Sequence, residues 1–170
     1  NAPNHLTARI AADSKYWLWI NDQLVVFEGG LKRGPSPSGT YYDPVDIAPY
    51  LTKGSNTIAI LLWHFGKDGF SHINSGKAAL LFEAIAPGLE IVSDASWQCA
   101  LYEAYQNTEA PFPNYRMPES NIRFDARQAI TNWNRTSFEG SLPGAVCVGK
   151  AGKAPFGDLV ERPIPQWKNS

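Results

Sequence analysis

The sequence is short of sulfur, of charge and of helical pattern. Its 170 residues include two cysteines and one methionine. Cys99 and Cys147 are too few and too far apart for a zinc cluster or a disulfide framework. Their apolar settings, Trp-Gln-Cys-Ala-Leu and Ala-Val-Cys-Val-Gly, predict two buried thiols; a bridge would need an oxidising compartment. Charged residues make up 18%, and Lys+Arg 15 against Asp+Glu 16 leaves a net charge of −1 with no basic stripe, so nucleic acid is not an expected partner. No apolar run is long enough to span a bilayer, and no membrane partner is expected. No segment keeps helical periodicity over three turns, and no internal repeat stands out. The chain shows no signal-peptide pattern and starts at Asn1 rather than Met, which predicts a processed chain or a piece of a longer one.

What the chain has instead is apolar and aromatic. Hydrophobic residues reach 44%, which excludes disorder, and 170 residues suffice for one domain with one core. Six Trp, seven Tyr and eight Phe favour strands and also supply flat faces on which sugars stack.

The central stretch is 56–76. Its first half, Thr57 to Leu62, is a continuous apolar run that predicts a strand covered on both faces. Its second half carries Trp63, His64, Phe65, Asp68, Phe70, Ser71, His72 and Asn74 among Gly66, Gly69 and Gly76. Glycine at that density predicts a hinged loop, not a helix, and loops on rigid sheets are where binding groups gather.

Elsewhere the pattern is of short strands. Alternation over 5–11 gives one strand. Tyr16 to Ile20, the turn Asn21-Asp22 and Gln23 to Phe27 predict a hairpin, with Trp17 or Trp19 in the core beside Ile58, Ile60 and Leu62. Loop composition over 29–39 precedes a strand at 40–43. Pro49 and Gly54 allow a single helical turn at most between 46 and 56. Strands follow at 77–86, 89–93 and 97–102. Asn107 to Ser120, with Pro111, Pro113 and Pro118, predicts a long ordered loop. In Asn121 to Gln128 the residues Arg123, Asp125 and Arg127 alternate on one strand face, predicting a salt-bridged ladder with Asp125 flanked by two guanidiniums and partly buried. Strands at 145–148 and 159–164 complete the set. Ten or so short strands with turns between them predict an all-β, two-sheet antiparallel sandwich in one domain, 1–170.

Three groups of residues resemble a known module. Tyr16-Trp-Leu-Trp-Ile-Asn-Asp-Gln-Leu-Val and Asp46-Ile-Ala-Pro-Tyr-Leu-Thr-Lys-Gly-Ser-Asn-Thr-Ile-Ala-Ile resemble segments of galactose-binding-like jelly rolls found in the non-catalytic domains of many glycoside hydrolases. Asp94-Ala-Ser-Trp, Ile122-Arg-Phe-Asp-Ala-Arg, Trp133-Asn and Pro163-Ile-Pro then resemble, in order, the N-terminal β-domain of bacterial α-L-rhamnosidases. Asp22 and Asn132 stand where that family has glycine, and Phe124 where it has tyrosine. The loop after the central strand, Phe65-Gly-Lys-Asp-Gly-Phe-Ser, approximates the family's Gly-x-Gly-Trp-Tyr. The resemblance implies a jelly-roll sandwich joined to a C-terminal (α/α)-barrel catalytic domain of the same chain that hydrolyses terminal rhamnose, in a bacterial periplasmic or secreted setting. It implies either binding of a rhamnose-containing glycan, in some relatives through calcium, or support of the barrel.

Several constellations compete with plainer readings. Trp63, His64, Asp68, Phe70, His72 and Asn74 form the candidate sugar site, with His72, Asp68 and Asn74 expected to be exposed; Trp63 and Phe65 fit a plug at the end of the sandwich equally well. His64, Asp68 and His72 have metal-ligand chemistry, but their glycines oppose the helix that would align them. Asp43 and Asp46 are calcium candidates, against a solvated turn with Asp46 as a cap. Glu28, Asp43, Asp68, Glu103, Glu109 and Glu119 are acids without a pairing motif. A non-catalytic sandwich of a larger glycoside hydrolase is therefore the leading expectation; an autonomous glycosidase and a protein-interaction sandwich are the alternatives.

Overall fold

The structure is a computed structural model that describes residues 3–31, 34–70, 72–108 and 121–167. Its strands are β1 Thr7–Asp13, β2 Lys15–Ile20, β3 Gln23–Gly30, β4 Thr40–Asp46, β5 Ile58–Trp63, β6 Ala79–Ala86, β7 Leu89–Val92, β8 Tyr105–Asn107, β9 Ile122–Phe124 and β10 Leu159–Glu161. The remaining regular elements are single 3-10 turns at Ala48–Tyr50 and Ala126–Gln128. The fold is all-β, as the alternation predicts.

Five strands form one sheet in the order β10-β4-β1-β6-β7, and three form a second in the order β3-β2-β5. Pairing is antiparallel throughout both sheets except for β10, which runs parallel to β4. The small hairpin β8–β9 stands apart. Ala8, Ile10 and Ala12 of β1 and Phe82 and Ala84 of β6 meet Tyr16, Leu18 and Ile20 of β2 and Val26 of β3 in one buried cluster. Both main sheets thus share a core.

The period-2 geometry decides which face of β2 is inside. Tyr16, Leu18 and Ile20 are fully buried, so Trp17 and Trp19 point to the outer face. This corrects the expected indole in the core: the sheet seats the Tyr16, Leu18 and Ile20 row inward. β5 follows the same register, with Ile58, Ile60 and Leu62 opposite Ile20, Leu18 and Tyr16 and packed on the core. β5 is an edge strand of its sheet and all six of its residues are only half-buried, contrary to the strand covered on both faces that its apolar run predicts.

The β2–β3 turn uses Asn21 (φ 47°) and Asp22 (φ 70°), both left-handed, as a two-residue hairpin of primed type requires. Asp22 accepts hydrogen bonds from the backbone N–H of Thr136 at 2.6 Å and its hydroxyl at 3.1 Å, tying the turn to the C-terminal third of the chain.

Several expected strands are absent. Segment 97–102 forms a lone bridge, Gln98 to Gly144, and meets 145–148 through the Ala145 N–H on the Trp97 carbonyl at 2.8 Å. Cys99 donates to the Pro143 carbonyl, but Pro143 has no N–H to return, so the ladder stops there. Without strands to bury them, Cys99 and Cys147 are exposed free thiols, contrary to expectation. The charge ladder also fails. The strand ends at Phe124, and Asp125 caps the next turn by accepting from the Arg127 N–H at 3.1 Å. The Arg127 guanidinium grips Asp125 at 2.9 and 2.6 Å from an exposed position, whereas Arg123 turns to the Gln106 side-chain oxygen. Most of the proline-rich loop, 109–120, lies outside the described residues.

A buried ion pair fastens the last strand. Asp43 on β4 is fully buried. One of its oxygens accepts from the Tyr16 hydroxyl at 3.0 Å and the Gly30 N–H at 2.8 Å; the other accepts from Arg162, just past β10. Arg162 also donates to the Gly30 carbonyl at 2.5 Å and lies over the Tyr41 ring. Burial, then the Asp43 charge and hydrogen bond, push the Tyr16 phenol well above its ordinary value.

Asp43→Ala should therefore cost about 3–5 kcal/mol in urea denaturation, because it leaves a buried guanidinium without its counter-charge. Removing the exposed Arg9–Glu83 pair (2.8 Å) should cost about 0.2–1 kcal/mol. The raised Tyr16 pKa adds an alkaline signature: its contribution is whole below pH 10.0 and is lost as pH rises through the folded-state value. Ultraviolet titration should show one phenol that ionises only on alkaline unfolding.

Candidate functional site

The glycine-rich loop is built on a second buried carboxylate. β1 ends in Asp13 and the next residue is Ser14, both fully buried. The Ser14 N–H donates to the Trp63 carbonyl at 3.1 Å, joining the end of β5 to the link between β1 and β2. The Ser14 hydroxyl donates to Asp13 Oδ1 at 2.7 Å and accepts from the Phe65 N–H at 3.1 Å. Asp13 Oδ2 accepts from the Ser75 N–H at 2.6 Å. Both ends of the loop are thereby fixed to one Asp-Ser pair.

His72 completes the knot. Its ring is 1% exposed, and Nε2 lies 3.2 Å from Asp13 Oδ1 and 3.3 Å from Ser14 Oγ. With the Ser14 proton already directed to Asp13, Nε2–H is the donor to the carboxylate. Nδ1 has no hydrogen-bond partner among the described residues. His64 is less deeply placed, with Nδ1 3.2 Å from the Asp13 carbonyl oxygen and 3.7 Å from its Oδ1. Burial alone would raise the Asp13 pKa, but hydrogen bonds from His72, Ser14 and Ser75 outweigh it and hold the carboxyl far below the ordinary carboxylate range.

The structure divides the expected sugar site. Trp63, the last residue of β5, lies opposite Lys15 on the outer face and packs edge-on against Phe65 at 5.1 Å. Phe65 is buried, and stacks edge-on against His72 at 5.2 Å; it plugs the loop's base. His72, expected at the surface, is in the knot and cannot meet a ligand: Asp13 draws it inward. Phe70 is 81% exposed and Asp68 is exposed, as expected of contact groups; Asn74 is only half-buried. Asp68 Oδ1 accepts from the Asn74 N–H at 2.7 Å, and Asn74 Oδ1 from the Gly76 N–H at 2.9 Å, so both side chains shape the loop. Ser71 lies outside the described residues.

Buried Asp13, Ser14 and His72 have the chemistry of a nucleophilic triad but not its geometry. Serine and aspartate converge on the same imidazole nitrogen, and no substrate can reach them, since a triad needs an exposed nucleophile and an orienting acid on the far nitrogen. Sequence inspection missed this knot. The available signal was a polar Asp-Ser pair closing the apolar run Ala8–Ala12.

The metal candidates do not fit a cation. Asp43 already has Arg162, Tyr16 and Gly30 on its oxygens. Asp46 accepts from the N–H groups of Leu6 and Ala48 at 3.2 Å and contacts His5 at 3.0 Å; it sits one residue before Ile47, the N-cap position of the next turn, so it is a turn residue and not the expected cap. His64, Asp68 and His72 do not converge, and among the described residues no three His, Cys, Asp or Glu side chains group to hold a metal. Of the acids, Glu28 pairs with Lys15 at 3.8 Å, and Glu109 and Glu119 lie outside the described residues.

The segments that carried the family resemblance also prove to be fastenings. Asp94 Oδ1 accepts from the Ser96 N–H at 2.8 Å and hydroxyl at 2.5 Å, which turns Trp97 so that its indole donates to the Val92 carbonyl at 2.9 Å and packs on Phe82. Asp125 and Arg127 cap a turn. Trp133 stacks edge-on against Trp19 at 5.2 Å.

The knot predicts acid sensitivity with a definite sign. A carboxyl held below its unfolded value of 3.8 contributes above that pH and loses its contribution as pH falls through the folded value. Asp13→Asn should therefore flatten the loss of urea resistance below pH 4 while lowering stability at pH 7. His72→Ala should destabilise by about 1–3 kcal/mol through loss of one buried hydrogen bond to the Asp13 carboxylate and speed amide exchange over 66–76.

No family model matches the chain and no curated protein matches its sequence. Solved structures do match. A GH78 family rhamnosidase of Bacillus sp. GL1 aligns with 98% of this chain at a TM-score of 0.79 and 28% identity, and the alignment occupies 17% of that protein. An α-L-rhamnosidase from Dictyoglumus thermophilum aligns with 98% of this chain at a TM-score of 0.66 and 19% identity, over 18% of its own length. Over nearly its whole length, the chain is similar in structure to a domain-sized part of GH78 α-L-rhamnosidases.

Proposed function

We propose that this chain is a non-catalytic domain of a larger glycoside hydrolase of the α-L-rhamnosidase type, and that its main task is to support a catalytic domain in the same polypeptide. The observation that carries this reading is the use of its motifs. Asp94-Ala-Ser-Trp97 seats an indole on the core, Asp125-Ala-Arg127 closes a turn, and Trp133 covers Trp19. Residues in the order found in rhamnosidase β-domains thus hold this domain together, and the one concavity they line, at Arg123–Arg127, is shallow and widely open to solvent. The similarity to a small share of much longer enzymes supports the same reading.

Exposed Phe70 beside Asp68 favours a second, subsidiary reading: weak contact of the loop tip with a rhamnose-containing glycan, with Trp63 and His64 at its base. A ring that projects from a fixed loop can stack on the apolar face of a pyranose.

The natural full-length polypeptide should cleave aryl α-L-rhamnosides, and the 170-residue chain should not. A full-length protein without that activity would end the enzyme reading. Titrating the domain with rhamnose, with galactose as control, should shift NMR signals at Asp68 and Phe70 with a dissociation constant on the order of 0.1–10 mM. Phe70→Ala should abolish those shifts without changing stability. Silence of the loop leaves support as the sole role.

A further inference from the structure

We propose that the outer face of the three-stranded sheet is a docking surface for the apolar side chains of a neighbouring domain in the same polypeptide. Its centre is Trp17, Leu24, Phe27, Leu61 and Trp63. The inference rests on the reading of this chain as part of a longer protein and specifies which face the rest of that protein covers.

Register puts these residues together. Trp17 lies opposite Leu61, and Trp19 lies opposite Leu24 on one side and Ala59 on the other. Trp63 lies opposite Lys15, two residues along the same face. Phe27 meets Trp17 edge-on at 6.4 Å. Leu24 is 36% and Phe27 49% exposed, and Trp17, Leu61 and Trp63 are half-buried. At the rim, Lys15 lies near Glu28 at 3.8 Å and over the Trp63 ring at 5.9 Å. On the outer face of the five-stranded sheet the exposed Ile85 lies instead among Thr7 and the Arg9–Glu83 ion pair.

The chain already covers one end of the aromatic face. Trp133 packs on Trp19, and Thr136 is bonded to Asp22 at the adjacent turn. Among the described residues Leu24 and Phe27 stay exposed beyond that cover, and with the half-buried Trp17, Leu61 and Trp63 they continue the same apolar surface outward. An apolar, aromatic patch with paired charges at its rim is the composition of a lasting protein interface. The occupant follows from length. The chain corresponds to 17% and 18% of the similar solved proteins, so in a polypeptide of that size most of the mass lies outside this domain and tethered to it. Tethering makes the contact intramolecular, and a modest apolar patch then suffices.

The test uses the natural full-length polypeptide carrying Phe27→Arg, Leu24→Arg or the milder Leu24→Ser, with Ile85→Arg as control on the opposite sheet, where Ile85 is 58% exposed. Far-ultraviolet circular dichroism checks that each variant folds. Limited proteolysis should release the domain at least tenfold faster from the two sheet-face arginine variants, with Leu24→Ser intermediate and Ile85→Arg unchanged. Release at the parental rate in all four overturns the proposal. Conversion of a full-length dimer to monomers without faster release overturns it in favour of a second copy, and loss of rhamnose binding without faster release overturns it in favour of a sugar. Faster release from a polypeptide that does not cleave rhamnosides would uphold the docking face while ending the enzyme reading.

Discussion

Burying a carboxylate is the constraint on which the fold turns. Asp43 and Asp13 are each fully buried, and an unpaired charge there would be too costly for a domain of this size to tolerate. The chain therefore brings donors to both from distant points. Asp43 draws Arg162 from 119 residues away, and with it β10, the parallel strand at the edge of the five-stranded sheet. Asp13 draws His72 and Ser75 from 59 and 62 residues away, and with them the glycine-rich loop. Hydrophobic packing explains why the two sheets stay together; the two carboxylates explain where the irregular segments must lie.

The two sites are also joined. Gly29 and Gly30 end β3 against both of them. Gly30 donates to Asp43 and accepts from Arg162, and the next residue, Leu31, donates to the Ser14 carbonyl at 2.5 Å. A Cβ at Gly29 would fall inside the Tyr16 ring, and Gly30 has φ 90° with the Ser14 carbonyl close beside it. Glycine is needed here because the backbone itself is the ligand of both sites. A change in the loop at His72 and a change in the C-terminal strand at Arg162 therefore meet at one short stretch of chain.

Much of this was legible in the sequence and part was not. Alternation gave the main strands because period 2 is local. It could not say which row of Tyr16–Ile20 faces inward, because both rows are apolar, and a choice between the two rows is made by the facing sheet. The 97–102 and 145–148 strands looked sound for the same reason, and failed through Pro143, whose missing N–H matters only once its partner strand is known. The alternating charges at 123–127 fit a strand or a capped turn equally well; Asp125 settles the matter by binding the N–H two residues on. At the candidate site the exposed Phe70 and Asp68 were readable, whereas His72 was not. Its burial depends on Asp13, 59 residues away, and nothing near His72 in the chain announces that partner.

The departures from the family pattern bear on function through the same physics. Asp22 and Asn132 stand where the α-L-rhamnosidase pattern that the chain resembles has glycine, and both adopt left-handed φ, 70° and 59°. Asp and Asn are the residues that tolerate that region best after glycine. Asp22 gains what glycine could not offer, the bond to Thr136 that helps hold the 132–136 segment over Trp19. Asp22 thus keeps the turn and fastens the cover on one end of the aromatic face. The rest of that face remains uncovered by the described chain. A domain that uses buried carboxylates to fix its loops and its last strand, and among its described residues leaves Leu24 and Phe27 exposed on its aromatic sheet face, fits the docking surface proposed above. Rigidity of this kind serves a neighbour that must be held in place more directly than it serves a single sugar at a loop tip.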